Sequence, residues 1–200
     1  IMGTSKPIVR GNSLYTIVGG PNWVDAQANA KNVGGDLVSI SSEAESDFIE
    51  ETFGGEKYVY TGDSNSWDPE SFTIFWTGAL RDDEGEWAWA NGETWFQNKH
   101  WYFNNSDLDD YDYMFVHFNY PGESIFLDDT CPTVDQWGKS WKGISETKFI
   151  RRGDSAYAIV EGPTWEEAEA NAVALGGHLV TINDNLENKW PVSYTHLRAH

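Results

Sequence analysis

"GPNWVDAQANAKNVGGDLVSI" (Gly20–Ile40) decides how this chain is read, because "GPTWEEAEANAVALGGHLVTI" (Gly162–Ile182) repeats it. Trp165 follows Trp23 by 142 residues, and the same offset separates Gly177 from Gly35 and Ile182 from Ile40, so no gap is needed. The match extends backwards, from "RGNSLYTIV" at Arg10 to "RGDSAYAIV" at Arg152. Forwards, Glu45 and Phe48 fall opposite Glu187 and Trp190. A period of this length is far beyond solenoid repeats and is the size of an ordinary domain.

Each copy carries helix punctuation. Thr164 precedes Glu167 by three residues, a capping box, and Gly176 and Gly177 supply a left-handed C-terminal turn. Asn22, Asp25, Gly34 and Gly35 do the same in the first copy. Between the caps Trp23, Ala26, Ala30 and Val33 recur at helical spacing, which predicts a core-facing helix of about three turns with Asp25, Gln27 and Lys31 on its wet face. "DLVSI" then reads as a buried strand, Ser42 with Glu45 caps a second helix through Phe53, and "SLYTIV" before the first helix is a strand by composition.

The 200 residues are 40% hydrophobic and 15% aromatic, enough to build a core. A net charge of -19 works against a phosphate-binding surface, so nucleic acid is not an expected partner. The acids are solvated or matched by cations such as calcium, which prefers carboxylate and amide oxygens. No apolar run reaches the roughly 20 residues a bilayer span needs, and no basic-then-apolar leader opens the chain. With Ile1 first, the expectation is a fragment of a longer protein. The lone Cys131 allows no internal disulfide and reads as a free thiol. After Trp190 the repeat ends, and "VSYTHLRAH" resembles one reading frame of a common sequencing adapter. The domain reading is therefore an upstream linker over 1–7, one domain over 8–150, the N-terminal third of a second over 151–190, and a non-native tail over 191–200.

The order of strand, "W..A...A...GG.LVSI", "S..E..FI", "FWTGAL" (Phe75–Leu80) and "GEWAWANGETW" (Gly85–Trp95) resembles the C-type lectin domain, whose pattern includes a core strand followed by a G.W.W.DG turn. The resemblance covers Ile8 to Ile150, then Arg151 to Trp190 as the start of a second copy. It implies an α+β fold: two helices packed on antiparallel sheets, a long loop region, and adjacent N- and C-terminal strands, "SLYTIV" beside Lys142 to Phe149. The family's usual disulfide falls at positions that look like Ala30 and Ser145, and both cysteines are missing. That points to a bacterial, cysteine-free branch in which packing of Trp23, Trp76, Trp87 and Trp89 replaces the crosslink.

The resemblance also implies that function sits in the long loop, "HWYFNNSDLDDYDYMFVHFNYPGESIFLDDT" (His100–Thr130). Calcium takes about six to eight oxygen ligands. Asn105, Asp107, Asp109, Asp110, Asp112, Asp128 and Asp129 are the candidate set, with Asn104 beside them. A solvated acidic loop is the other reading. Of the family's WND motif the counterpart looks like Phe126, Leu127 and Asp128, which keeps only the aspartate. The family's sugar-reading EPN or QPD triplet is replaced, since Phe103 to Ser106 contains no proline. Among the aromatic residues Trp101 reads as core, while Tyr102, Phe103 and Tyr111, with Asn104 and Asn105, are the candidate ligand contacts. His117 in "MFVHF" reads as a strand histidine. "RRGDS" (Arg151–Ser155) reads as a repeat element, because the first copy has "RGNS" there.

Two function classes remain. One is a non-catalytic module binding carbohydrate or protein, repeated with neighbouring copies in an extracellular or surface protein; a hypervariable receptor on the same fold is a variant of it. The other is a glycoside-active enzyme using loop carboxylates beside tryptophans. No HExxH, GxSxG or P-loop pattern is present, and tandem repetition suits avidity better than turnover.

Overall fold

The computed structural model describes residues 6–54, 74–82, 84–96, 112–118, 125–130, 141–183, 185 and 189. Two short strands, β1 (Ile8–Arg10) and β2 (Ser13–Val18), precede helix α1 (Trp23–Asn32). Then come β3 (Asp36–Leu37), helix α2 (Glu43–Phe53), β4 (Ile74–Arg81), β5 (Trp87–Trp89), β6 (Tyr113–Phe118), β7 (Ile125–Thr130) and β8 (Lys142–Lys148). Along the sheet the order is β1-β2-β8-β4-β6-β7, with β3 added on β8 and β5 on β4.

The helix boundaries follow the capping chemistry. Asn22 is extended, its Oδ1 accepts from Asp25 N at 2.8 Å, and its Nδ2 donates back to the Asp25 carboxylate at 2.9 Å. At the other end Gly34 takes φ +81°, where a side chain would be strained, and Gly35 N closes on Ala30 O at 3.0 Å. In α2 the Ser42 hydroxyl accepts from Glu45 N at 3.2 Å, and the Glu45 carboxylate accepts from Ser41 N at 3.0 Å.

As the resemblance implied, the strands near the two ends of 8–150 meet. β2 and β8 pair antiparallel over their whole length, from Ser13 opposite Lys148 to Val18 opposite Gly143. β4 then joins β8 in parallel through Phe75 and Trp76. The sheet is apolar on both faces because each face carries a helix. On one side Tyr15, Phe75, Met114, Val116 and Ile144 pack with Ile49 and Phe53 of α2. On the other, Leu14, Trp76 and Phe115 pack with Trp23, Ala26 and Ala30 of α1.

Ala30 and Ser145, at the positions of the implied crosslink, are both fully buried. The tryptophans do not form one cluster around them. Trp23 and Trp76 lie on the α1 side, where the Trp141 ring packs tilted against Trp76 at 4.9 Å, whereas Trp89 and the partly buried Trp87 lie on the α2 side. "DLVSI" is a strand only at Asp36–Leu37. Beyond it the chain crosses the sheet: Val38 N donates to Ile144 O on β8, and Val38 O accepts from Gly78 N on β4, both at 2.8 Å. A segment that bridges two strands cannot continue as a ladder on one.

The elements then recur. β9 (Ile150–Arg152), β10 (Ser155–Tyr157) and α3 (Trp165–Ala174) begin 142 residues after β1, β2 and α1, and Ser155 pairs with Arg152 as Ser13 pairs with Arg10. A single buried residue, Phe149, separates β8 from β9. The second segment rests on the first: Glu161 N donates to Asn32 O at 3.0 Å, the Ile159 carbonyl abuts Gly34, and Leu175 is buried with Leu14 and Val33.

Candidate functional site

The scaffold of the candidate region is the pair β6 and β7, hydrogen-bonded to the core strand β4. Sequence reasoning assigned both to the long loop region, apart from the strand read around His117 in "MFVHF". Their signal was present, since Tyr113 to Phe118 is an unbroken apolar and aromatic run except for His117, as a strand buried on both faces requires. Met114, Val116 and Phe118 face the α2 side and Phe115 the α1 side. His117 lies in this strand, as expected, opposite Ile74 and Phe126.

Of the candidate metal ligands, three are placed. Asp128 pairs with Phe115 and Asp129 with Met114. Asp112 directly precedes β6, and its backbone carbonyl accepts from Arg81 N at 2.9 Å. The register therefore brings Asp112 and Asp129 to one end of the β6–β7 pair. Asn105, Asp107, Asp109 and Asp110 lie outside the described residues, as do the ligand candidates Tyr102, Phe103, Asn104 and Tyr111, along with Trp101, Cys131 and the tail. Among the described residues, no group of three or more His, Cys, Asp or Glu side chains is arranged to hold a metal ion.

The approach to this region is built from tryptophan. In the β4–β5 hairpin Gly85 and Gly92 take φ +82° and +75°, turning the chain at both ends of "EWAWAN". Trp95 lies tilted against Trp89, 4.7 Å between ring centroids, and stacks near-parallel to Trp87 at 6.2 Å, and with Phe96 it packs against the core. These two rings belong to the framework.

A polar network that sequence reasoning missed ties this hairpin to the rest of the sheet. Glu93 Oε2 accepts from the hydroxyls of Ser39 at 2.7 Å and Ser41 at 2.5 Å, and its Oε1 lies 3.5 Å from Lys148 Nζ. Lys148 also pairs with the buried Glu146, which accepts from Ser13 at 2.6 Å. Burial works to raise the Glu93 pKa, but the two hydroxyl donors and the ammonium outweigh it and hold the carboxyl below its ordinary range. Burial likewise opposes charge on Lys148, yet Glu146 and Glu93 keep its pKa raised. Nearby the Tyr15 hydroxyl donates to Glu45 at 3.0 Å, and desolvation with the charges of Glu146 and Glu45 pushes its pKa up. The members are scattered from residue 13 to 148, so no local motif announces them.

The arrangement, two helices flanking a sheet whose first and last long strands pair, is C-type lectin-like. No family profile and no curated protein matches the sequence. Solved structures match the fold. The chain is similar to the C-type lectin domain of murine dendritic cell inhibitory receptor 2, solved in complex with N-glycan, with a TM-score of 0.51 and 17% identity over 72% of this chain and 96% of that one. It is similar to SPL-1, solved as a GlcNAc complex, with a TM-score of 0.50 and 21% identity over 72% and 93%. A Ca2+-dependent type II antifreeze protein in its Ca2+-free form gives 0.50 and 18% over 72% and 98%. No described helix is long and apolar enough to cross a membrane.

Proposed function

We propose that this protein is a non-catalytic recognition module that binds carbohydrate or protein through residues 101–112 and the adjoining end of β6–β7. The observation that carries the reading is the fold: similar domains were solved with N-glycan and with GlcNAc bound, and nearly their whole length is matched. The scaffold supports it as well, because a rigid sheet braced by Trp87, Trp89 and Trp95 delivers the chain into and out of the acidic aromatic segment. Calcium belongs to this proposal as the cation shared by Asp107, Asp109, Asp110, Asp112, Asp128 and Asp129, with Asn105 as an amide ligand. So does an extracellular or surface location. The recurrence of β1, β2 and α1 at a fixed offset supports a second unit beginning at Arg151 and a protein built of such units in series. Glycan-array binding by the full chain, with calcium and with chelator, is the test. Binding with the sugar recovered intact is expected; cleavage of the bound glycan would replace the module with a glycosidase.

A further inference from the structure

In the first unit β8 lies in a slot. One wall is β2, paired from Ser13 to Val18. The other is Asp36 and Leu37, opposite Glu146 and Ser145, continued by the Val38 bond to Ile144. Ala26 of α1 forms the floor under Gly143. Moving those walls forward by 142 residues gives 155–160 and 178–180. These residues, with Ala172, Leu175 and the first unit's Pro7 and Leu14, line a cavity of about 720 Å³.

The walls of the second slot are tied to their helix by the same bonds as those of the first. Leu37 N donates to Gln27 Oε1, and Leu179 N donates to Glu169 Oε2, each at 2.9 Å. Asn29 Nδ2 donates to Gly19 O, and Asn171 Nδ2 donates to Glu161 O, each at 2.8 Å. What differs is cover. Val38 and Ile40 are fully buried, whereas Val180 and Ile182 are 50% and 48% exposed. Thr16–Val18 is strand, and its counterpart 158–160 is not.

We infer that this cavity is a strand acceptor, and that its occupant is an extended segment with the chemistry of Lys142–Phe149, "KGISETKF". A glycine is favoured near the start, because a Cβ on Gly143 would crowd Leu37 Cδ2 and force that side chain to shift, and Leu179 stands at the same place in the second slot. An apolar residue follows, as Ile144 does in the core, and then polar residues that pair on both edges, as Ser145 and Glu146 do. The inference rests on the reading of 151 onward as a repeated unit, whose own last strand is the natural occupant.

The probe is synthetic KGISETKF, added in trans to the full chain and also fused to it through a Gly/Ser linker, which raises its local concentration to the millimolar range. Amide hydrogen exchange is the readout. The peptide should slow exchange at least tenfold at both 158–160 and 178–180, and KLISETKF, carrying Gly143→Leu, should bind at least tenfold more weakly. No slowing at either wall in the fused chain overturns the inference. Protection that appears without peptide and rises with protein concentration, together with a dimer in sedimentation, assigns the slot to a second copy and also overturns it. The repeated-unit reading fails separately, if the gene continues past residue 190 without counterparts of "FWTGAL" and "KGISETK"; that result leaves the peptide titration standing.

Discussion

Trp23 and Trp165 occupy the same place in the repeat, and the structure assigns them opposite weights. Trp23 is 8% exposed, donates from Nε1 to Thr77 O at 2.7 Å, and lies 4.5 Å from the Tyr113 ring. Trp165 is 67% exposed. Trp23→Ala removes a buried indole and leaves a cavity between α1 and the sheet, which costs about 3–5 kcal/mol. Trp165→Ala removes a mostly wet ring and costs within about 0.5 kcal/mol. For a chain of this size about 1 kcal/mol moves the midpoint by roughly 2–4 °C, so Trp23→Ala lowers it by roughly 6–20 °C and Trp165→Ala by roughly 2 °C or less. Urea unfolding of the full chain, followed by near-UV circular dichroism, measures both variants. Equal losses would refute the burial asymmetry between the two tryptophans.

Gly78→Ala places a Cβ 2.5 Å from Leu37 O, a backbone atom that β3 and β8 hold in place, so denaturant unfolding should show a loss of about 1–3 kcal/mol. Glu93 has a depressed pKa, so its stabilisation is full above the unfolded value near 4.3 and is lost as pH falls through the folded value. Glu93→Gln should therefore be less stable than the native chain at pH 7, by a gap in urea midpoints that narrows as pH falls below about 4.3; a gap that does not narrow in acid would contradict the assigned cause. Lys148 has the opposite sign: its contribution is present below about pH 10.4 and is lost as pH rises past its elevated folded pKa, so Lys148→Met should differ least from the native chain at the alkaline end. Calcium at about 100 times its dissociation constant should add roughly 2.7 kcal/mol of stability, and Asp128→Ala should remove most of it; equal thermal midpoints in calcium, magnesium and chelator would leave the acidic segment a solvated loop.

The parts legible in the sequence were those with local chemistry. Asn22, Ser42 and Thr164 announce helices because an N-cap is made within three residues, and each accepts from the predicted N–H. The pairing of β2 with β8 spans some 130 residues, and it came from the family resemblance rather than from any local signal. The length of "DLVSI" as a strand was misread because its end bonds depend on Ile144 and Gly78, far away in sequence. β7 and most of β6 were absorbed into the acidic loop, whose charge masked the apolar run between its two halves; only the stretch around His117 was read as strand. Trp141, buried against Trp76 and Phe115, was not singled out because nothing beside it repeats or caps. The whole ligand-contact set, Tyr102 to Tyr111, stands where composition alone speaks.

Recognition through 101–112 on this scaffold is tested most directly by probing one glycan array with two proteins, the native chain and a chain in which 101–111 is replaced by a Gly/Ser segment of equal length. The account predicts saturable binding by the native chain, no binding by the replacement, and the same unfolding midpoint for β2, β4 and β8 in calcium-free buffer. Binding retained by the replacement would place recognition elsewhere on the fold and contradict the account, as would a native chain that binds no glycan and no protein ligand.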